Sequence, residues 1–581
     1  MENEPNGMPG CPQEQSTGGS LREYNLSTKG FPAGMGMSGY EGAVRSKKKT
    51  GESGEAMHSV IKVSQKWRAA TVFVVLLVAA LLAQACTVGS SEGTQPVSVA
   101  GSESPSGILR VAVQPIVQTD PAFISSDPEI LVANQIYDYL LDISIENTIE
   151  PRLATDWRMS NNGLVYTLEL ARGVRFHDGS SLTAEDVVWT FNRLRDPQGG
   201  LPTKDLYSNI KNIEAAGELE VNFTLNEPNP FFLYDLSDNH ALILKANTTD
   251  AASQFNGTGP FKVTSYSPED RMTLEANPDY FIQDQPHLAG MEIIFFNDLA
   301  ASVEALRSGQ VELVFLASAT DLYKSLENEE RLSLVEVSTN QFDLIRLRAD
   351  RSPGNDPRVI EALKLATDRE AIFDLVVQGY GSVGRDSPIG PLYSQYYSEE
   401  PPLPERDVEK ARQLLAEAGF QDGLNLELHT PDTGNRPNLA VVLKEQWAEA
   451  GINTEVVVEP ESVYYGDNGW LEVDLGITGW GSRPYPQFYL DTMLTCGAEW
   501  NESHFCDQEL DQLIRTAGST LDEGERVKAY QEIQRILIER GPIIIPYFAA
   551  QFAALNENVL GFEMKAFWGR SDLRPVSLAG E

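Results

Sequence analysis

"PRLATDWRMSNNGLVYTLELARGVRFHDGSSLTAEDVVWTFNRL" (residues 151–194) packs three local signals into one run. From Gly163 onward the chain alternates through Val165, Thr167 and Glu169, as in a half-exposed strand. "HDG" at 177–179 marks a tight turn. "TAEDVVWTFNRL" then opens with Thr183 as N-cap and Asp186 three residues on, a near capping box that starts a helix. Strand, turn and helix in sequence predict a mixed α/β body.

The flanking chain carries the same texture. "ILRVAVQP" (108–115) reads as a buried strand, and "EILVANQIYDYLLD" (129–142) has apolar residues at helical spacing. Residues 206–225 alternate again. "DLAASVEALRSGQVELVF" (298–315) is a helix, a Gly309 stop and a strand, which makes an α/β unit. A long extended run follows at 333–350. Beyond it, helices are expected at 356–379, 407–420, 437–451 and 521–541, with strands between them. Residues 542–562 are extended again. The two long extended runs bracket a second α/β lobe, so the chain crosses from one lobe to the other twice. Residues 340–346 and 542–547 are the expected hinges.

The 581 residues are too many for one ordinary core. A net charge of −39 argues against nucleic acid as a partner, since such proteins need a basic stripe. An anionic ligand would need a local positive group against that field.

The first hundred residues stand apart. Residues 1–56 are rich in Gly, Ser and Pro and read as a disordered extension. Residues 57–86 have Lys62, Lys66 and Arg68 ahead of an apolar run from Ala69 to Ala85, and Ala83-Gln84-Ala85 is a small-x-small cleavage pattern. This is an export signal of lipoprotein type with Cys86 as the lipidated residue, or else an uncleaved anchor. The apolar run is a little shorter than the roughly 20 residues that span a bilayer. Residues 87–107 are a Ser/Gly-rich tether. Everything after the signal is then extracytoplasmic, held at the outer face of the cell membrane.

Of four cysteines, Cys11 lies in the extension and Cys86 at the signal. Cys496 and Cys506 are ten apart in "CGAEWNESHFC". Outside the membrane such a pair is expected to form a disulfide. The rival, a metal site, lacks ligands, because only His504 is close.

The exported body resembles the bacterial extracellular solute-binding protein family 5, the oligopeptide-, dipeptide- and nickel-type receptors of ABC importers. The resemblance covers about 108–570. It rests on the opening block and, in order, "NGTGPFKV", "LEANPDYF", "ALRSGQVEL", "DPRVIEALKLATDREAI" and "EKARQLLAEAGF". It implies a two-lobed periplasmic-binding-protein type II fold with an extra subdomain in the larger lobe. Lobe 1 is then 108–345 with 542–581, carrying the subdomain at about 142–253, and lobe 2 is 346–541. It also implies a monomer that encloses a peptide-like or other small polar solute. The partners are a membrane permease and, through it, ATPases. The cysteine pair resembles a disulfide of dipeptide-type members.

No catalytic constellation, metal site or cofactor motif stands out. The six His are scattered, and His177 in "FHDG" looks structural in this family. The chain is read as a binder, not an enzyme, with a ligand-sensing receptor or a hydrolase as the alternatives. Peptide-type members carry an Asp in the second lobe that pairs with the peptide's amino group, in a stretch resembling "W…DYPDP". Here the stretch reads "GWGSRPYPQF" (479–488), and Arg483 stands near the place of that Asp. An Arg favours a carboxylate, phosphate or sugar hydroxyls. Trp480 and Tyr485 could stack on a flat solute, and Asn340, Phe342 and Tyr137 complete the candidate contacts.

Overall fold

The computed structural model describes residues 104–466 and 469–580. The extension, the signal with Cys86 and nearly all of the tether lie outside the described residues. Among the described residues no helix is long and apolar enough to cross a membrane.

One twelve-stranded sheet runs through both lobes. In the first lobe the parallel strands Leu313–Ala317, Ile108–Val113 and Gly290–Phe295 lie side by side, and Arg271–Ala276 and Phe261–Ser267 extend the edge. In the second lobe the parallel strands Ile452–Glu459, Leu424–Pro431 and Leu475–Trp480 do the same. Two long strands, Leu332–Leu347 and Tyr547–Asn556, join the halves. Leu332–Ser338 pair with Asn556–Ala550, and the ladder then breaks until Phe342 meets Phe548. From Phe342 to Leu347 the strand pairs along its other edge with Trp480–Leu475, while Ile345 and Arg346 still meet Ile544 and Ile543 of the returning chain. The break spans 338–342 and 548–550, overlapping the expected 340–346 and lying just beyond 542–547.

A separate antiparallel sheet of four strands, Ala154–Met159, Val165–Leu170, Glu220–Leu225 and Ile210–Gly217, forms the extra subdomain. The opening block of sequence builds half of it. The helix Ala184–Leu194 begins at Thr183, and Thr183 and Asp186 complete a capping box. His177 is structural: its ring nitrogens sit 3.3 and 3.0 Å from the Phe255 and Gly259 carbonyls. Burial lowers its pKa against those two contacts. The segment it touches runs close to the end of the helix Asp127–Ile136. A Cβ on Gly257 would lie 1.9 Å from the Ile136 carbonyl oxygen, so only glycine fits there.

Two sequence expectations need correction. The helix expected over 129–142 ends at Ile136, where Tyr137 turns extended, and Leu141–Ile143 is a short strand. The helix expected over 356–379 is two helices, Pro357–Ala366 and Arg369–Val376, because Asp368 caps a second start. Cys496 and Cys506 are bonded.

Each lobe has its own core on both faces of the sheet. Leu109, Phe191 and Ile293 centre one in the first lobe, and Trp447, Leu363 and Ile477 one in the second. The second lobe also buries an ion pair, Arg346 Nε to Glu502 Oε2 at 3.1 Å, with both side chains at most 1% exposed. Glu502 accepts further from Thr478 Oγ1 at 2.6 Å and Trp480 Nε1 at 3.2 Å. Removing one member of a buried pair leaves the other uncompensated. Glu502→Ala is expected to lower the stability of the second lobe by about 3–5 kcal/mol in urea unfolding. A loss under about 1 kcal/mol would show that Arg346 finds another partner.

Candidate ligand-binding cleft

The strand Leu475–Trp480 ends against the register break, and the chain leaves it through Gly481-Ser482-Arg483-Pro484. Pro484 and Pro486 forbid a continued strand or an ordinary helix. Every carbonyl of this loop is nonetheless taken. Gly481 O accepts from Tyr489 Oη at 2.7 Å and Arg483 O from Tyr393 Oη at 2.6 Å. Ser482 O accepts from Arg483 Nη1 at 2.9 Å and Pro484 O from Asn147 Nδ2 at 2.6 Å. The Asn340 backbone N–H donates to Ser482 Oγ at 3.0 Å. A loop so fully bonded holds its side chains in fixed directions.

Arg483 lies with its guanidinium 4.5 Å over the Phe488 ring. It makes no ion pair among the described residues. Both residues line a cavity of about 570 Å³ between the lobes. Trp500 adds to the same wall, 38% exposed and 6.4 Å from Phe488. The floor is the broken strand pair, where Gln551 Nε2 donates to Gln341 Oε1 at 3.3 Å. The opposite wall belongs to the first lobe and includes Asp127, Asp238, His240 and Arg570. Burial alone would raise Asp238, but the hydrogen bond and charge of His240 bring it below its ordinary value.

The lobes touch at one end of this cavity. Phe231 of the first lobe is 2% exposed and sits in an aromatic socket of the second. It stacks on Tyr485 at 4.8 Å and 7°, with Tyr396 and Tyr530 edge-on. Tyr485 Oη donates across the gap to Asp235 Oδ1 at 2.7 Å, and Asn229 Nδ2 donates to the other oxygen at 2.7 Å. Burial pushes Asp235 up to about 7 against those hydrogen bonds, and the nearby Asp238 pushes the same way.

Of the residues expected to meet solute, the structure brings Arg483 and Tyr485 to the cavity and leaves the others out. Trp480 is 7% exposed and is held in the core by Glu502. Phe342 is 1% exposed and packs among Trp480, Tyr489 and Phe548. Tyr137 is 1% exposed in the first-lobe core. Asn340 is fully buried at the break, and neither atom of its amide has a partner. Trp500, Phe488 and the first-lobe acids were not singled out from sequence. Trp500 had one legible signal, an aromatic inside the expected disulfide loop.

The lobe contact has a signed pH dependence. While buried, Asp235 resists ionisation; water reaching it when the lobes part lowers its pKa. The contact therefore weakens as pH rises through about 7 and is strongest in acid. Ligand-free protein is expected to show a larger radius of gyration in X-ray scattering at pH 8.5 than at 5.5. Asp235→Asn should remove that difference. Phe231→Ala, which empties the socket at a cost of about 3–5 kcal/mol, should open the protein at both pH values. An unchanged radius in Phe231→Ala would show that the socket does not hold the lobes together.

Comparison with known proteins agrees with this architecture. The sequence model described as "Bacterial extracellular solute-binding proteins, family 5 Middle" matches residues 148–501, more than half of the chain. Heme-binding protein A of Haemophilus influenzae is 27% identical over 544 residues, covering 87% of this chain and 98% of that protein. Di/tripeptide-binding protein 1 of Pseudomonas aeruginosa is 28% identical over 454 residues, covering 72% and 84%. The solved structure of the oligopeptide-binding protein AppA of Bacillus subtilis, in complex with a nonapeptide, superposes with a TM-score of 0.66 at 25% identity. It covers 82% of this chain and 100% of its own. The two lobes on one sheet, the cavity between them and these matches together place the chain in the bacterial extracellular solute-binding proteins of family 5.

Proposed function

We propose that the chain is the solute-capturing receptor of an ABC importer and that its solute carries a carboxylate, held by Arg483 between the lobes. The observation that carries this reading is Arg483 itself: a cation lining the interlobe cavity, with no ion pair among the described residues. The relatives are named for peptides and heme, which are solutes with carboxylates. The cavity of about 570 Å³ falls within the roughly 300–1,000 Å³ of sites that enclose a small ligand. Phe488 and Trp500 supply the apolar surface such a site needs beside its few oriented polar groups.

Capture works by differential contact. A solute that touches Arg483 and the first-lobe wall together favours the arrangement in which both face it. The closed form is then offered to a membrane permease coupled to ATPases. Lipidation at Cys86 keeps the monomeric receptor at the outer face of the membrane, close to that permease.

A thermal-shift panel of short peptides, N-acyl amino acids, opine-type acids and neutral sugars tests the solute class. Acids are expected to stabilise the protein and neutral sugars to leave it unmoved. Arg483→Ala should weaken the best acid by about ten- to a hundredfold in calorimetry, the scale of a lost charge-assisted hydrogen bond. Unchanged affinity in that variant would remove Arg483 from the site.

A further inference from the structure

Side chains join the two lobes at two places among the described residues. One lies beside the crossing strands, where Gln378 Nε2 donates to Asp321 Oδ1 at 2.9 Å and Tyr380 packs on Tyr323 at 5.4 Å. The other belongs to the extra subdomain. Asn147, Gly163, Phe231, Tyr234 and Asp235 all fall within its stretch of chain, and all meet the second lobe.

This second contact is wider than the aromatic socket around Phe231. The Pro484 carbonyl accepts from Asn147 Nδ2 at 2.6 Å, and the Asn147 carbonyl accepts in turn from Tyr234 Oη at 3.1 Å. Gly163 sits in the turn between the strands Ala154–Met159 and Val165–Leu170, with φ at 68°. Leu521 of the second lobe lies directly on it. A Cβ at 163 would come 2.6 Å from Leu521 Cδ1, so glycine leaves the room that Leu521 occupies.

Arg526 of the second lobe connects the two halves of the contact. Its Nη1 donates to the Thr520 carbonyl at 2.9 Å, next to Leu521, and its Nε donates to Tyr396 Oη at 3.1 Å. Its guanidinium lies 5.7 Å over the Phe231 ring. The cavity lining does not include Gly163, Phe231, Leu521 or Arg526. Apolar and aromatic surface buried between two bodies holds them together whether or not a ligand lies beside it.

We infer that the extra subdomain is a latch that holds the lobes together in the empty receptor, and that Arg526 and Leu521 are the part of the second lobe on which it closes. The inference does not depend on which solute is bound or on Arg483. It gives the four-stranded sheet a task of its own. The sheet carries the Gly163 turn to Leu521, and the chain leaving its strand Glu220–Leu225 carries Phe231 to Arg526. A solute then adds to a closure that already exists, and opening the cleft means breaking this contact.

Leu521→Asp and Arg526→Gln test this by X-ray scattering of the ligand-free full chain at pH 5.5. Leu521 is half-buried, and an aspartate there is ionised at this pH. Leu375→Asp is the control, because Leu375 is 66% exposed on the second-lobe helix Arg369–Val376. Both latch variants are expected to show a larger radius of gyration than the unaltered chain, and the control the same radius. A variant that merely weakened the second lobe would melt earlier with its radius unchanged. If Arg526→Gln unfolds part of that lobe, Leu521→Asp alone decides. An unchanged radius in Leu521→Asp overturns the inference even if Phe231→Ala opens the protein, because the socket would then hold the lobes by itself. An equal increase in Leu375→Asp also overturns it, because any added negative charge would then suffice.

Discussion

Two strands pass through both lobes, and they cannot stay paired along their whole length. The strand Leu332–Leu347 follows Tyr547–Asn556 up to Ser338, loses register until Phe342 meets Phe548, and from there is also paired along its other edge with Leu475–Trp480. Ladder hydrogen bonds pin it on either side of the change, which leaves 339–341 as the short stretch without a regular partner. We propose that relative motion of the lobes is absorbed there, in the one sheet that both lobes share. The break also opens the cleft floor. It presents Gln341 and Gln551 to the cavity and leaves the Asn340 amide buried with nothing to bond. A polar group left so is costly, and it marks the break as a place held by the surrounding structure rather than by its own bonds.

The cavity wall of the second lobe depends on a group that never reaches the cavity. Glu502 holds Arg346, Thr478 and Trp480, and so fixes the end of the strand from which the Arg483 loop departs. Glu502 and Trp500 share the loop closed by Cys496 and Cys506. One short covalent loop thus sets both the buried acid and the exposed indole. The Arg483 loop is then fixed by its carbonyls, two of them bonded to tyrosine hydroxyls from elsewhere in the second lobe and one to Asn147 of the first.

What could be read from the sequence was what is local. Thr183 and Asp186 announce the helix Ala184–Leu194 because a capping box needs only four neighbouring residues. Arg483 was legible as a lone cation among aromatics and prolines. Trp480 was misplaced because its partner, Glu502, lies 22 residues away, and spacing says nothing about such a contact. Tyr137 continues an apolar period that the structure ends at Ile136, where the loop through Gly257 closes over the helix end. Asp127 and Asp235 could not be told from the other 82 acids of the chain, since only tertiary packing decides which acids face a cavity.

The proposed solute lies enclosed between the lobes with its carboxylate on Arg483. A crystal structure of the protein with the strongest stabiliser from the acid panel measures this directly. The carboxylate is expected about 2.7–2.9 Å from the Arg483 guanidinium, with the solute buried against Phe488 and Trp500. A solute bound on an outer face, or one lying in the cleft with its carboxylate turned away from Arg483, would contradict it.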